Sequence, residues 1–73
     1  MPEISLASIR RIIKKAGADR ISQEAVEYLR EIAEKYIFNI AKTAVELAEH
    51  AKRKTLLKED ILRAIRIREG KFE

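Results

Sequence analysis

The sequence predicts an all-α fold of three helices in the order short, long, short. Glycine and proline occur at only three of the 73 positions, and apolar residues recur every three or four positions. That spacing places apolar side chains on one side of an α-helix. One such stretch, residues 22–50, runs on without a helix-breaking residue. We expect residues 1–73 to form a single small domain.

The first helix is predicted over residues 5–15. Its apolar face consists of Ile9, Ile12, Ile13 and Ala16. Gly17 follows at the point where a helix often ends, because glycine adopts the left-handed conformation without steric cost.

The second helix is predicted over residues 22–50, with Ser22 as its N-cap and Glu24 favouring the positive end of the helix. At 1.5 Å per residue this helix spans roughly 43 Å. A compact globule of this chain length has a radius of gyration of only about 11 Å. Two short helices cannot cover an apolar face of that length, so the geometry predicts pairing with the long helix of a second chain.

A loop over residues 51–57 leads to the third helix, predicted over residues 58–68. Ile61, Ala64 and Ile65 are expected to face inward. Residues 69–73 are predicted to be a short tail that frays from the helix end.

The two ends of the chain are basic and the middle is acidic. Residues 1–21 carry five Lys/Arg and two Asp/Glu, residues 22–50 carry three and six, and residues 51–73 carry eight and four. Such segregation is typical of a protein that binds a polyanion.

The composition argues against several other classes of function. Cysteine is absent and His50 is the single histidine, so disulfides and cysteine or multi-histidine metal sites are excluded. We expect no catalytic residue, no cofactor, no bound metal and no small-molecule substrate. No secretory signal or membrane span is expected, and the acidic polar side of the long helix is unsuited to anionic lipid. We therefore expect an intracellular protein.

Three motifs together resemble the archaeal histones. They are Arg-Ile-Ile-Lys-Lys-Ala-Gly-Ala-Asp-Arg-Ile-Ser at 11–22, Leu-Ala-Glu-His-Ala-Lys-Arg-Lys-Thr at 47–55 and Glu-Asp-Ile at 59–61. The resemblance implies a histone fold in which two chains clasp head-to-tail across their long helices. It also implies that the first loop of one chain lies beside the second loop of the other, paired through Ile21 and Leu56.

The resemblance implies that double-stranded DNA is the ligand and that the loops contact it. Arg20 matches the arginine that histones insert into the minor groove, and Thr55 matches the partner threonine that holds it. Lys54 matches a lysine that touches phosphate. For Arg20 the alternative is a solvated loop arginine beside Asp19.

On the first helix, Arg11 and Lys14 match family positions that contact DNA, and Lys15 adds a further positive charge. Arg10 is also an extra positive charge here. The alternative is an amphipathic helix whose basic side is merely solvated. Backbone N–H groups beside Ser22, at the start of the second helix, are a further candidate phosphate site.

The resemblance assigns other residues to structure and assembly. Arg53 is expected to brace the second loop by pairing with Asp60. His50, Asp60 and Leu47 match residues that join two dimers, and Arg63 lies in the same interface. Four positions depart from the family pattern, namely Glu31, Glu49, Leu62 and Arg63. They predict a dimer–dimer contact that is more ionic, weaker or selective for a partner, and they argue against long stacked fibres.

The sequence thus predicts a homodimeric histone in the cytoplasm, associated with the chromosome, that bends or wraps duplex DNA largely without sequence preference and compacts it. Tetramers and larger assemblies on DNA are left open. The alternative is a histone-fold interaction module that heterodimerises with another histone-fold chain, as in transcription-factor complexes. The altered assembly residues favour this alternative, as do three apolar residues expected to be partly exposed, Phe38, Leu62 and Ile67.

Overall fold

A computed structural model describes residues 2–70, which form three α-helices and no strand. The helices are α1 (Leu6–Lys15), α2 (Gln23–His50) and α3 (Lys58–Glu69). Each end lies within one residue of its predicted position. Glu69, predicted to lie in the tail, is the last residue of α3, and Gly70 caps that helix. The other residues of the expected tail, 71–73, lie outside the described part of the chain.

Local hydrogen bonds fix both ends of α1. The Ser5 hydroxyl accepts the Ser8 N–H at 3.0 Å, which satisfies a backbone donor that has no partner within the helix. At the other end, the Gly17 N–H bonds to the Lys14 carbonyl and the Ala18 N–H to the Ile13 carbonyl. This is a Schellman motif, and Gly17 takes the φ of +111° that it requires.

Helix α2 is continuous over 28 residues, about 42 Å. Ser22 caps its start, as predicted, by accepting the Ala25 N–H at 3.0 Å. A second Schellman motif closes its end, in which the Arg53 N–H bonds to the Ala48 carbonyl and the Lys52 N–H to the Glu49 carbonyl. Lys52 has a φ of +59° there, a left-handed conformation that costs a residue with a Cβ about 1–2 kcal/mol.

Helix α3 begins with a carboxylate cap and ends at a glycine. The Asp60 carboxylate accepts the Leu57 N–H at 2.9 Å, just before the first helical residue. Gly70 closes the helix with a φ of +72° and donates its N–H to the Arg66 carbonyl.

The chain divides into two compact units. The first, Met1–Tyr36, contains α1 and the first part of α2. Its buried apolar residues are Ile9 and Val26. The Glu34 carboxylate accepts the N–H groups of Ile4 and Glu3 at 2.7 and 2.6 Å, and these bonds lower the pKa of that carboxyl. Glu34 thereby attaches the segment before α1 to α2.

The predicted apolar face of α1 is only partly buried. Ile9 is buried and Ile13 is half-buried, but Ile12 is 62% exposed and Ala16 is also exposed. The single chain therefore buries only part of the apolar face of α1, and Ile12 and Ala16 remain on its surface.

The second unit, Ile37–Glu73, contains the rest of α2 together with α3. Its buried core consists of Ile40, Ala44 and Ala64. The half-buried side chains of Leu47, Ile61 and Ile65 pack against that core, so all three residues predicted to face inward on α3 contribute to it. Arg68 on α3 also donates to the Thr43 hydroxyl on α2 at 3.0 Å.

Much apolar surface stays exposed in the isolated chain. Among residues 2–70, the buried apolar residues larger than alanine are Ile9, Val26 and Ile40. The exposed large apolar side chains on α2 are Tyr28, Leu29, Ile32, Tyr36, Ile37, Phe38 and Val45. Phe38, Leu62 and Ile67 are exposed, as predicted from the sequence. The isolated chain therefore exposes more apolar surface than a stable soluble monomer usually does.

Replacing Lys52 by glycine should stabilise the fold. Glycine removes the steric cost of the left-handed conformation, although its greater freedom in the unfolded chain offsets part of the gain. We expect Lys52→Gly to raise the free energy of unfolding by about 0.5–1 kcal/mol, measured by urea unfolding. Lys54→Gly removes the same charge at a loop position without a positive φ, and it should not stabilise. Equal effects of the two variants would contradict this assignment.

Candidate nucleic-acid interface

Loop 1, residues 16–22, lies between the Schellman motif of Gly17 and the cap formed by Ser22. Arg20 lies in this loop and is exposed. Within the described range 2–70, no hydrogen bond or ion pair engages its side chain. The loop thus holds a positive charge in solvent between two fixed helix ends, and that charge is available to a ligand.

Ser22 contributes to this site mainly through the helix that it caps. Its hydroxyl oxygen is already an acceptor for the Ala25 N–H. The N–H groups of Gln23 and Glu24 precede the first bonds within the helix, so they point outward at the positive end of α2. They can receive an anion, whereas the capping oxygen is occupied.

Loop 2, residues 51–57, carries a second group of exposed polar side chains. Lys54 and Thr55 are both exposed. The Thr55 carbonyl accepts a hydrogen bond from Arg53 at 3.1 Å, so the backbone of this exposed residue is attached to the protein. The predicted contact between Arg20 and Thr55 joins two different chains and stays a prediction.

Arg53 and Asp60 form a bidentate ion pair that closes loop 2. The two Arg53 Nη atoms donate to the two Asp60 carboxylate oxygens at 2.8 and 2.9 Å. Asp60 is 1% exposed and also accepts the Leu57 N–H. The Arg53 hydrogen bonds, followed by that of Leu57, lower the pKa of Asp60 from 3.8 to about 2. The expected pairing of Arg53 with Asp60 is therefore confirmed as a contact. This ion pair attaches loop 2 to the first turn of α3.

The cations of α1 do not all have the same surroundings. Lys14 and Lys15 are exposed in the last turn, where the negative end of the helix also favours positive charge. Arg11 is exposed, with one long contact of 3.4 Å to the Ser8 hydroxyl. Arg10 differs from them because it is half-buried and donates to Gln23. Three of the four basic residues of α1 thus stand free enough to contact DNA.

The residues assigned to a dimer–dimer interface are only partly accessible. His50 and Arg63 are exposed. Leu47 packs against the core of its own unit, and Asp60 is almost fully buried with three hydrogen bonds already made. No bond joins His50 to Asp60 within the described residues. The dimer–dimer interface of these four residues stays a prediction. Of the four, only His50 and Arg63 are exposed in the single chain.

Sequence reasoning missed three polar contacts of the first unit. Gln23 accepts a bond from Arg10 and donates to Glu27 at 3.0 Å, and Glu34 binds the N–H groups of Ile4 and Glu3. The Gln23–Glu27 pair has the spacing of four residues that brings side chains together on a helix, so it could have been found. Arg10 and Glu34 are separated from their partners by 13 and about 30 positions, and no local pattern indicates those pairs.

Two other kinds of site are absent from residues 2–70. No helix there combines the length and the apolar character needed to cross a membrane. Groups of three or more His, Cys, Asp or Glu side chains arranged to hold a metal ion are also absent from that part of the chain.

Three helices in the order short, long, short, with basic residues exposed in both intervening loops, define a protein of the histone class. The family model for "Histone-like transcription factor (CBF/NF-Y) and archaeal histone" matches residues 2–65. The chain belongs to this family. It is accordingly a DNA-binding, chromosome-associated histone with an all-α histone fold and not an enzyme.

Curated relatives agree with this membership. The chain is 44% identical over 66 residues to a subunit of the archaeal histone HAN1 of Thermococcus zilligii, an alignment that covers 90% of this chain and 98% of the relative. It is 47% identical to probable archaeal histone 3 of Methanocaldococcus jannaschii, with the same coverage. It is also 32% identical over 68 residues to the major histone H4 of Tetrahymena pyriformis, covering 93% of this chain and 65% of that relative.

The Arg53–Asp60 pair should make the fold sensitive to acid. Because the pKa of Asp60 is lower in the folded chain than in the unfolded one, the pair contributes its stability above about pH 4 and loses it as pH falls toward 2. Asp60→Asn should therefore be less stable than the wild type at pH 7, and the difference should shrink across this interval. Urea unfolding at a series of pH values measures it.

Asp19→Asn is the matched control, since Asp19 is exposed in loop 1. It should follow the wild-type pH profile. An Asp60→Asn variant as stable as the wild type at pH 7, or a constant difference between them down to pH 2, would show that the pair does not stabilise loop 2.

Proposed function

We propose that the protein acts as a homodimeric archaeal-type histone that binds duplex DNA with little sequence preference, bends or wraps it, and so compacts the chromosome in the cytoplasm. The observation that carries this proposal is the exposed Arg20, held in loop 1 between two capped helix ends without a protein partner. Exposed Lys54 and Thr55 in loop 2 and the cations of α1 extend the basic surface.

The chemistry of these groups suits the DNA backbone and the minor groove. Arginine and lysine neutralise phosphates and release counterions, which gives affinity without reading the bases. An arginine inserted into a narrow minor groove responds to groove width rather than to base identity. We propose that Arg20 inserts there, that Thr55 of the partner chain holds it, and that Arg11, Lys14, Lys15, Lys54 and the start of α2 beside Ser22 contact phosphate.

The exposed apolar residues of α2 support pairing of two chains. Leu29, Ile32 and Ile37 are 40%, 44% and 56% exposed on the single chain. A fully buried side chain of this kind contributes about 1.5–3 kcal/mol relative to an exposed one, so covering them offsets the small size of the core. A second copy of α2 supplies an apolar surface of the same length, and we propose that it lies across the first.

Assembly beyond the dimer is proposed to be limited. Exposed His50 and Arg63 are open to a neighbouring dimer, and exposed Glu49 adds a negative charge beside His50. Glu31 is paired with Lys35 on its own helix, with 3.7 Å between the charged atoms. A charge engaged within one helix contributes less to a contact between dimers, so we propose isolated dimers or tetramers on DNA rather than long fibres.

A second candidate is a histone-fold protein that pairs with a different histone-fold chain. The family model includes histone-like transcription factors, and the relative from Thermococcus zilligii is named as one subunit of a histone. The observation that favours this candidate is the exposure of Phe38 at 64%, which adds apolar area that a non-identical partner could cover. The two candidates differ in whether the purified chain forms a folded dimer alone.

Light scattering of the purified chain should give the mass of two chains, or about 17 kDa from a chain of 8.5 kDa. Leu29→Ala should shift the population toward the monomer, because each dimer loses two buried leucines at about 2–5 kcal/mol each. Glu31→Ala, which removes only an exposed ion pair on the same helix, should remain dimeric. A monomeric wild type that becomes helical only with another histone-fold chain would support the heterodimer instead.

Arg20→Ala and Thr55→Ala should each weaken binding to duplex DNA, Arg20→Ala by about tenfold, since a desolvated charged contact is lost at both ends of the dimer. Titration with fluorescent DNA of mixed sequence measures the affinity. Lys35→Ala serves as the control, because it removes one positive charge from the acidic middle of α2. Unchanged affinity and DNA supercoiling in Arg20→Ala and Thr55→Ala would contradict the loop contact, and equal losses in Lys35→Ala would indicate a general charge effect.

A further inference from the structure

A short chain of polar contacts connects α1 to the first turns of α2. The Arg10 guanidinium on α1 donates to the Gln23 side-chain oxygen, at the first residue of α2. The Gln23 side-chain N–H group then donates to the Glu27 carboxylate at 3.0 Å, one turn further along. Gln23 thus uses its acceptor for the cation and its donor for the anion, which matches the hydrogen-bonding capacity of an amide.

These contacts lie on either side of loop 1. Arg10 comes six residues before the loop begins, and Gln23 follows its last residue directly. The loop backbone is otherwise attached through the Gly17 and Ala18 N–H bonds at one end and through the Ser22 cap at the other. Both of those attachments are local to one helix, whereas the Arg10–Gln23 bond connects the two helices across the loop.

Loop 2 is attached to its following helix by a comparable arginine bond. Loop 2 is likewise closed by an arginine, Arg53, whose bonds to Asp60 attach the loop to the next helix. At both loops an arginine side chain bonds to the first turn of the helix that follows. Arg10 lies in the helix before loop 1, and Arg53 lies within loop 2. In loop 2 the acceptor is a buried carboxylate, and in loop 1 it is an exposed amide that is bonded in turn to a carboxylate.

We propose that Arg10, Gln23 and Glu27 form a loop 1 brace that positions Arg20 for DNA, so that Arg10 acts through the loop and not as a phosphate contact. The inference rests on the proposed function, because it assigns a positioning role toward the same DNA site. It separates Arg10 from its neighbour Arg11, which has only a 3.4 Å contact to a hydroxyl and remains available to phosphate. Two adjacent arginines of equal charge thereby have different roles.

The free protein tests the brace without DNA. Native-state hydrogen exchange of residues 18–21 reports how often loop 1 opens. Arg10→Ala and Gln23→Ala should each speed this exchange about threefold or more, and Arg11→Ala should leave it unchanged. The slowest amides of α2 should stay at the wild-type rate, which shows that the fold is intact. Unchanged loop exchange in both Arg10→Ala and Gln23→Ala would overturn the brace, whether or not the protein binds DNA.

DNA titrations over a range of salt concentrations then separate positioning from direct contact. Loss of one phosphate contact lowers the slope of log affinity against log salt by about 0.9. Arg11→Ala should show that decrease. Arg10→Ala and the uncharged Gln23→Ala should instead weaken binding by a similar two- to fivefold at an unchanged slope, and the double variant should be no weaker than either single variant.

Two results would overturn the positioning role. One is a lower slope in Arg10→Ala with normal binding by Gln23→Ala, which would make Arg10 a phosphate contact. The other is faster loop exchange in both variants with wild-type affinity for DNA. A wild-type protein that does not bind DNA would contradict both the proposed function and the positioning of Arg20 for DNA. The hydrogen-exchange rates of loop 1 would still show whether the brace exists.

Discussion

The length of α2 is the constraint on which the rest of the structure depends. A helix of 28 residues, about 42 Å, offers more apolar surface than helices of 10 and 12 residues can cover. Burial follows that limit, since only Ile9, Val26 and Ile40 are buried among the larger apolar side chains of residues 2–70. We propose that pairing with a second long helix removes this surface from water and brings the basic loops of two chains together in one dimer.

Loops 1 and 2 are held by backbone hydrogen bonds and by bonds from arginine side chains. Schellman motifs close α1 and α2, the Arg53 bonds connect loop 2 to α3, and the Arg10 bond connects α1 to α2 across loop 1. Arg20 in loop 1 and Lys54 in loop 2 are exposed and carry positive charge into solvent. We propose that the basic residues divide into two groups: those bonded to their own chain shape the loops, and those without a bond in the single chain contact phosphate.

The sequence alone predicts the three helices, the Ser22 cap and the end of α1 at Gly17. Periodic apolar residues and the few glycines indicated the three elements to within one residue, and Ser22 was identified as a cap because capping needs only neighbouring residues. Arg53 and Asp60 were paired through the family resemblance. The bond between Arg10 and Gln23, the attachment of the N-terminal segment by Glu34 and the exposure of Ile12 depend on how separate segments meet, which no local pattern encodes.

We propose that folding of the chain and pairing of two chains are one event, driven by burial of the apolar surface of α2. Urea unfolding followed by the helical circular dichroism signal, at protein concentrations from about 1 to 100 µM, tests it most directly. If the folded unit is a dimer, the midpoint rises steadily with protein concentration, because dissociation into unfolded chains is favoured by dilution. A midpoint independent of concentration over that range would mean that the single chain folds alone, and folding would then not depend on pairing.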